Sequence, residues 1–153
     1  MQKDENISIE GYLPPQYVEE IVRLHRINPF AALLGIAIDG LAEGYCRLRL
    51  PVETNSTNPY GGVHGGIFAT LADISMGIAL RTVGLQPVTA ELTVNYLGQS
   101  HTGDELVAEG RVVHRGNTLI LTEGTVKSGG DKMTAMARGV FMSRGLLLSG
   151  NEK

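Results

Sequence analysis

Apolar residues recur at helical spacing in two parts of the chain, and each part predicts a helix. Residues 16–28 show a modest amphipathic pattern, with acidic residues early and arginines late. Residues 67–83 are apolar on nearly every side, so this longer helix must be enclosed by the rest of the protein. Gly84 and Pro87 then end it.

Alternation of apolar and polar residues predicts six strands. The first two form a hairpin, and the last four follow one another as an antiparallel meander with turns rich in Gly, Asn and Asp. The predicted strands cover residues 34–38, 45–52, 88–97, 105–114, 118–127 and 132–143. The expected fold is therefore α+β, with a curved antiparallel sheet wrapped around one long central helix.

The length of 153 residues and the hydrophobic content of 42% suit one domain with a single core. We expect residues 1–33 to form an N-terminal helical extension packed on this domain. Residues 34–144 make up the domain itself, and residues 145–153 form a C-terminal tail that we expect to be frayed.

Charge and composition exclude several classes of protein. The formal net charge of −3 shows no basic excess for a phosphate backbone, so nucleic-acid binding is not expected. The N-terminus is polar, and the longest apolar-rich run is interrupted by Asp73 and Ser75, which predicts a cytoplasmic protein with no membrane segment. Cys46 alternates with arginines along a predicted strand, a pattern typical of a buried structural thiol. The four histidines lack the spacing of metal ligands, so no metal site is predicted.

A glycine-rich turn leads directly into the predicted central helix, over residues 58–66. Such a turn leaves unpaired backbone N–H groups at the positive end of the helix dipole, where they favour an anion or a developing oxyanion. Asp73 is the one charge in the first part of the helix, and a lone carboxylate there is costly unless something uses it or pairs with it. The two features together predict a site where a carbonyl is polarised and a carboxylate attacks or activates water.

Asn58, the turn His64-Gly65-Gly66 and Asp73, followed by the strand at 88–97, closely resemble the hotdog-fold acyl-CoA thioesterases. The resemblance is to the branch of the phenylacetate-degradation thioesterase in particular, and it spans residues 34–142 in element order. It implies a hotdog fold and the hydrolysis of an aryl- or medium-chain acyl-CoA to the free acid and CoA. Coenzyme A is then part of the substrate, and no cofactor is expected.

The resemblance implies a role for each residue of the pattern. Gly65 would donate its backbone N–H to the thioester oxygen, and Asp73 would act as nucleophile or as general base, two routes that the sequence does not separate. His64 would hold the carbonyl or the departing thiolate, although a His in a turn is ordinarily structural. Asn58 would orient the acyl group or the water, or simply start the turn. Thr89 would position water by its hydroxyl.

Further residues are predicted to bind the substrate. Arg115, in a turn, is the first candidate for the phosphates of CoA, followed by Arg138 and Arg81, although arginines at turns are usually just solvated. Gly66, Phe68 and Met76 are also predicted to bind the substrate. The length and polarity of the acyl pocket are expected to depend on residues such as Ile67, Phe68, Met76 and Leu97, seen across a subunit interface.

Helix geometry predicts a shared site. Nine steps of about 100° place His64 and Asp73 on opposite sides of the helix, and the eight steps from Gly65 to Asp73 amount to roughly 12 Å. If both groups act on one carbonyl, Asp73 must come from a second subunit related by a two-fold axis. We therefore expect a homodimer with shared active sites, and the resemblance adds pairing of dimers into a homotetramer.

Two other functions fit the same residues. One is a hotdog-fold dehydratase or hydratase, which would aim a His and an acid at the carbons next to the thioester carbonyl. The other is a non-catalytic module that binds acyl-CoA, although a carboxylate kept inside an apolar helix argues against it.

Overall fold

The computed structural model describes residues 6–149, which contain three α-helices and seven β-strands. A short 3-10 turn, Thr54–Ser56, precedes the glycine-rich turn. The helices are α1 (Pro15–Arg26), α2 (Pro29–Leu34) and α3 (Gly65–Thr82). The strands are β1 (Ser8–Glu10), β2 (Ala37–Ala42), β3 (Tyr45–Pro51), β4 (Leu85–Tyr96), β5 (Glu105–Arg115), β6 (Ile120–Ser128) and β7 (Lys132–Leu146).

The seven strands form one curved sheet in the order β1-β2-β3-β5-β6-β7-β4. Every neighbouring pair is antiparallel except β1 and β2, which run parallel. The prediction of an antiparallel sheet around a central helix is confirmed for the six longer strands. The prediction missed β1, because three residues are too few to show a period. The predicted meander of the last four strands is confirmed for β5, β6 and β7. It is wrong for β4, which lies at one edge of the sheet and pairs with β7 instead of β5.

The central helix α3 lies against the concave side of the sheet and buries most of its surface there. Its fully enclosed side chains include Leu71, Ala72, Met76 and Ala79. One narrow stripe stays accessible, because its members are exposed or only half-buried. We call this the open stripe, and its residues are Gly66, Thr70, Asp73, Gly77 and Arg81. The expectation of a helix enclosed on every side is therefore wrong along this stripe.

The chain between residues 26 and 37 differs from the prediction. The first helix ends at Arg26, and the Asn28 side chain begins a second one by accepting hydrogen bonds from Phe30 N (3.1 Å) and Ala31 N (3.2 Å). Gly35, at φ +74°, closes α2, so β2 starts at Ala37 rather than at residue 34. The sequence predicts a strand across this boundary, because a short apolar run occurs in helices and in strands alike.

The C-terminal segment also differs from the prediction. Strand β7 continues through Leu146, and the next residue, Leu147, is buried and donates its backbone N–H to the Gly84 carbonyl at 2.9 Å. The frayed tail predicted from residue 145 is therefore wrong up to Leu147, and residues 150–153 lie outside the described part of the chain. A buried leucine at this point fixes the segment across the end of α3.

The prediction for Cys46 is confirmed, because this thiol is fully buried in β3 and forms no disulfide. Burial raises its pKa, which disfavours the thiolate and fits an inert structural role. None of the helices between residues 6 and 149 combines enough length with enough apolar character to cross a membrane.

Candidate functional site

Two cavities open along the open stripe of α3. The first, which we call the Asp73 cavity, has a volume of about 280 Å³ and is bounded by α3, β4 and the start of α2. The second, the His64 cavity, has a volume of about 270 Å³ and lies at the N-terminal end of α3. Both are lined by Phe30 and Thr70, so they adjoin one another on one face of the helix.

Asp73 is held by one specific contact. The Thr89 hydroxyl, on β4, donates a hydrogen bond to Asp73 Oδ1 at 2.7 Å, and both residues line the Asp73 cavity. Within residues 6–149 no other protein group hydrogen-bonds this carboxylate, which leaves Oδ2 available. A carboxylate that is fixed through one oxygen and free at the other can attack a carbonyl or accept a proton from water.

At the N-terminus of α3, His64 acts as the capping residue. Its Nδ1 accepts the backbone N–H of Gly66 at 3.1 Å, and its backbone carbonyl accepts the N–H of Ile67 at 2.9 Å. Because Nδ1 accepts, the neutral ring carries its proton on Nε2 and can donate it outward. His64 therefore has a structural role, one of its two predicted readings, and keeps one ring nitrogen for a ligand.

Gly65 keeps its backbone N–H free. No acceptor for this N–H lies within the part of the chain that the structure describes, whereas the N–H groups of Gly66 and Ile67 are both occupied. The Tyr96 ring lies close by, since a Cβ added at position 65 would stand 3.4 Å from Tyr96 Cε1. The first turn of α3 thus offers one unpaired donor at the positive end of the helix dipole.

Asn58 shapes the turn that precedes the helix. Its Oδ1 accepts hydrogen bonds from Tyr60 N at 2.9 Å and Gly62 N at 3.3 Å, and its backbone N–H donates to the Gly62 carbonyl at 2.8 Å. Such an Asx turn is the ordinary reading that the sequence left open beside a role in orienting the substrate. In this subunit the side-chain oxygen of Asn58 is engaged in holding the loop.

The position of His64 corrects one geometric expectation. As a capping residue outside the helix, it turns its ring toward Gly66, and the two line a cavity together with Thr70, on the face that carries Asp73. The predicted placement of His64 and Asp73 on opposite sides is therefore wrong, because a helical count does not apply to a residue outside the helix. The distance along the axis is unaffected, since Gly65 and Asp73 remain roughly 12 Å apart.

Two predicted pocket residues lie in the core instead. Met76 is fully buried against the sheet, where Thr122 Oγ1 is 3.0 Å from its sulfur, and Phe68 is 3% exposed. Neither lines the Asp73 or the His64 cavity. Their positions, counted along the helix, fall on the side that faces the sheet, so their predicted contact with the acyl group is not supported.

The two arginines first proposed for CoA lie apart from the open stripe. Arg115 borders a cavity at the C-terminal end of α3, together with Tyr17 and Thr82. Arg138 lies on the outer face of β7, is 70% exposed and pairs with Glu123 at 3.0 Å. Within one subunit neither arginine reaches the cavities that contain His64 and Asp73.

Sequence reasoning missed Phe30, Thr70 and Gly77 as site residues and ranked Arg81 last among the candidate cations. The signal was present for the residues on α3, since positions 66, 70, 73, 77 and 81 repeat at helical spacing and are all small, polar or charged. Phe30 gave no such signal, because only the tertiary structure brings α2 over this stripe. In residues 6–149, no group of three or more His, Cys, Asp or Glu side chains is placed to hold a metal ion.

Comparison with known proteins gives consistent results. A family model described as "Thioesterase superfamily" matches residues 60–135, which include the turn before α3 and the strands through the start of β7. A predicted esterase of Halobacterium salinarum is 36% identical over 122 residues, covering 74% of this chain and 80% of that protein. The acyl-coenzyme A thioesterase PaaI of Escherichia coli is 29% identical over 109 residues, covering 71% of this chain and 78% of that protein.

Solved structures agree with the sequence comparisons. The structure of E. coli PaaI, from the phenylacetic acid degradation operon, superposes with a TM-score of 0.83 at 25% identity, covering 88% of this chain and 98% of that one. A Streptococcus mutans protein that was crystallised bound to acetyl-CoA superposes with a TM-score of 0.70 at 30% identity. That match covers 72% of this chain and 90% of the other.

Proposed function

The chain belongs to the thioesterase superfamily, in the PaaI-like branch of the hotdog fold, and we propose that it hydrolyses aryl- or medium-chain acyl-CoA at Asp73. The enzyme is thus a thioester hydrolase that acts on acyl-CoA. The observation that carries the assignment of Asp73 is its carboxylate, held by Thr89 in a cavity with Oδ2 free.

The reaction adds water to the thioester and releases a carboxylic acid and the CoA thiol. Asp73 Oδ2 takes a proton from water, which adds to the carbonyl carbon, or attacks that carbon itself and forms a mixed anhydride that water then hydrolyses. In both routes the C–S bond breaks and the departing thiolate takes up a proton. Thr89 stabilises the ionised carboxylate and fixes its orientation in either route.

Gly65 supplies the electrostatic part of the mechanism. Its free N–H donates a hydrogen bond to the thioester oxygen as negative charge develops there, and the dipole of α3 adds to this stabilisation. His64 Nε2–H donates to the same oxygen or to the departing sulfur, while its Nδ1 keeps the helix cap in place. Asn58 shapes the loop that presents both groups.

The active site is proposed to be completed by a second copy of the chain. Gly65 and Asp73 are separated by roughly 12 Å along one helix, too far for both to contact one carbonyl. The strand β4, which carries Thr89, is a 12-residue edge strand whose outer side has no partner within residues 6–149. Such an edge favours pairing with another strand, and a two-fold pairing through β4 gives two equivalent shared sites.

Further parts of the proposal concern assembly, cofactor and location. Two such dimers associate into a homotetramer, and the reaction needs no cofactor because CoA enters as part of the substrate. Arg115 and Arg138 contribute to phosphate binding only across a subunit contact, since neither borders the Asp73 cavity. The enzyme works in the cytoplasm.

The experiment that tests the function is thiol release from phenylacetyl-, hydroxybenzoyl-, hexanoyl- and lauroyl-CoA by wild type and Asp73→Asn. The substitution keeps size and shape but removes the charge, so we expect a loss of about a hundredfold or more. Asp131→Asn, which makes the same change at an exposed acid in the turn between β6 and β7, serves as the matched control and should keep wild-type turnover. A folded Asp73→Asn enzyme with unchanged turnover would refute the assignment of Asp73.

Two additional assays on the wild type separate the other functions. Formation of an enoyl product from a hydroxyacyl-CoA added to the panel, without thiol release, would identify a dehydratase. Tight binding of acyl-CoA without turnover would identify a binding module.

The shared site has its own test, in which two inactive variants are mixed. Asp73→Asn and Gly65→Pro each remove one half of the proposed site, so a mixed dimer contains one site with both halves intact. When equal amounts of the two variants are refolded together, random pairing makes about half of the dimers mixed. Each mixed dimer has one working site out of two, so about a quarter of wild-type activity should return. No recovery from dimers shown to have exchanged subunits would contradict sharing.

A further inference from the structure

Arg81 is a cation that forms no hydrogen bond or ion pair within residues 6–149. Its side chain is half-buried near the C-terminal end of α3. The charge of Glu20 acts on it, but the Glu20 carboxylate already accepts two hydrogen bonds from Arg23, both 2.7 Å long. Burial lowers the pKa of Arg81, yet a guanidinium remains charged at neutral pH.

A half-buried guanidinium that lines a cavity and forms no ion pair within residues 6–149 is available to an anionic ligand. Arg81 lines the Asp73 cavity, and it also lines a larger neighbouring cavity of about 550 Å³ that contains Arg23 and Arg144. Pro87 is the other residue common to both, so the two cavities meet at Arg81. Arg81 is therefore the far end of a passage that starts at Asp73.

The wall between Asp73 and Arg81 is mostly apolar. Ile74, Ile78 and Phe141 line the Asp73 cavity between its two charged residues. Gly77 has no side chain that would narrow the passage. A Cβ added there would lie 3.9 Å from Pro87 Cγ and 4.0 Å from Phe141 Cε1. The cavity is thus charged at both ends and apolar in the middle.

The length of the passage sets the size of the ligand. Asp73 and Arg81 are eight residues apart on α3, which is roughly 12 Å along the axis. An arginine side chain in a helix leans toward the N-terminus, so the guanidinium lies nearer to Asp73 than its Cα does. At about 1.2 Å per bond of an extended chain, six to eight carbons extend roughly 6 to 8 Å, which suits the axial separation less the reach of the guanidinium toward Asp73.

We propose that Arg81 binds a carboxylate at the far end of the acyl group, so that the preferred substrates are ω-carboxyacyl-CoA thioesters of medium length. The proposal rests on the thioesterase function above, with the thioester at Asp73, the methylene chain against Ile74, Ile78 and Phe141, and the second carboxylate on Arg81. Guanidinium and carboxylate match in shape and charge and form two parallel hydrogen bonds.

The phosphates of CoA are the other anions that could reach an arginine. A single half-buried guanidinium at the end of a cavity of about 280 Å³ suits a flat carboxylate better than a bulky, strongly hydrated phosphate. The wider neighbouring cavity, with Arg23 and Arg144, offers phosphates a more open surface. The two ligands are distinguished by substrates that lack phosphates altogether.

The experiment compares two substrates that differ only in the terminal group, adipoyl-CoA and hexanoyl-CoA, with wild type, Arg81→Gln and Arg81→Lys. The measured quantity is the ratio of kcat/KM for the two substrates in each preparation, so any loss of folded enzyme cancels. We expect wild type to favour adipoyl-CoA by about tenfold or more and Arg81→Gln to lose that preference, with Arg81→Lys between them. Arg111→Gln, which removes an exposed cation stacked on Tyr45, is the matched control and should keep the wild-type ratio.

Two further arms make the result decisive. The same ratio is measured with the N-acetylcysteamine thioesters of both acids, which carry no phosphate. The affinity of Asp73→Asn for adipoyl-CoA and hexanoyl-CoA, with and without Arg81→Gln, is measured by calorimetry. This binding arm tests the role of Arg81 even if the wild type hydrolyses no thioester, whereas absence of turnover alone refutes the proposed function.

The outcomes are distinct. A preference for the diacid that depends on Arg81 in both the CoA and the N-acetylcysteamine series supports the proposal. Equal rates for the two acids, or a preference that survives Arg81→Gln, overturns it. An equal rise in KM for both CoA esters, absent from the N-acetylcysteamine series, also overturns it and assigns Arg81 to a phosphate.

Discussion

The backbone of Gly110, on β5, lies directly against the backbone of Ser75, on α3. A Cβ added at position 110 would stand 2.3 Å from the Ser75 carbonyl carbon, and backbone atoms cannot move aside as a side chain can. We expect Gly110→Ala to destabilise the protein by more than about 3 kcal/mol, because the helix must shift away from the sheet. The measurement is the free energy of unfolding in urea.

Gly124 provides the control for this substitution, since it is the cross-strand neighbour of Gly110 on β6. A Cβ at position 124 would meet the Met76 side chain at 3.4 Å, and a methionine can adapt. Gly124→Ala should therefore cost clearly less, about 1 kcal/mol. Equal losses in the two variants would contradict the close approach at Gly110.

The Thr89 hydroxyl should matter for turnover rather than for folding. Thr89→Val keeps the shape of the side chain but removes the donor to Asp73 Oδ1, so the carboxylate loses its orientation. Loss of a hydrogen bond to a charged group should lower kcat/KM by about ten- to a hundredfold. Thr89→Ser keeps the hydroxyl and should retain most of the activity. Similar activity in both variants would show that the hydrogen bond is not needed.

Gly65 can be tested by two substitutions that both add a Cβ next to Tyr96 but differ in the backbone N–H. Gly65→Pro removes the donor, and His64, at φ −65° and ψ 135°, already has the conformation that a residue before proline requires. Loss of one oxyanion donor should lower kcat by about a hundredfold or more.

Gly65→Ala retains the N–H and shows the effect of the added carbon alone. Its kcat should stay well above that of Gly65→Pro. Steady-state kinetics on one acyl-CoA decides, and equal kcat values would assign the loss to crowding by Tyr96 instead of to the donor.

His64 has two separable roles. His64→Ala removes the acceptor for Gly66 N–H and should lower the free energy of unfolding by about 1 kcal/mol. His64→Asn restores a good capping acceptor but has no Nε2–H, so we expect near-normal stability with reduced turnover. Thermal unfolding and kinetics on both variants answer the question. Full activity in His64→Asn would leave His64 with the capping role only.

We expect Asp104 to account for part of the pH dependence of the free energy of unfolding. The backbone N–H of His101 and the hydroxyl of Ser100 hydrogen-bond this carboxylate, which lowers its pKa in the folded protein. The stabilisation is therefore present above the ordinary pKa of Asp and is lost as the pH falls through the lowered value. In Asp104→Asn the free energy of unfolding should fall less as the pH is lowered, as measured by unfolding at a series of acidic pH values. An unchanged fall would show that Asp104 does not contribute to the pH dependence.

The sequence predicted the central helix and the long strands because their periods extend over many residues, but it did not predict the pairing of β4 with β7. It failed where the signal was short, as at β1 and at the boundary between α2 and β2, where an apolar run fits both a helix and a strand. The hydrogen bond from Thr89 to Asp73 was not predicted, because it joins a strand to a helix through tertiary structure alone, and the family resemblance implied only that Thr89 positions water. Met76 and Phe68 were misplaced because both lie opposite the small, polar and charged positions that mark the open stripe, and so they face the sheet.

Because of the open stripe, substitutions on the two sides of α3 have different effects. Its sheet-facing residues, such as Leu71 and Ala72, are fully buried, so substitutions there cost stability. Gly77, by contrast, lines the Asp73 cavity, and an added Cβ would make only ordinary contacts with Pro87 and Phe141, so a small side chain there narrows the cavity without disturbing the core. Descendants of such an enzyme can therefore diverge in acyl preference through single substitutions along the stripe, while the scaffold and its chemistry are inherited unchanged.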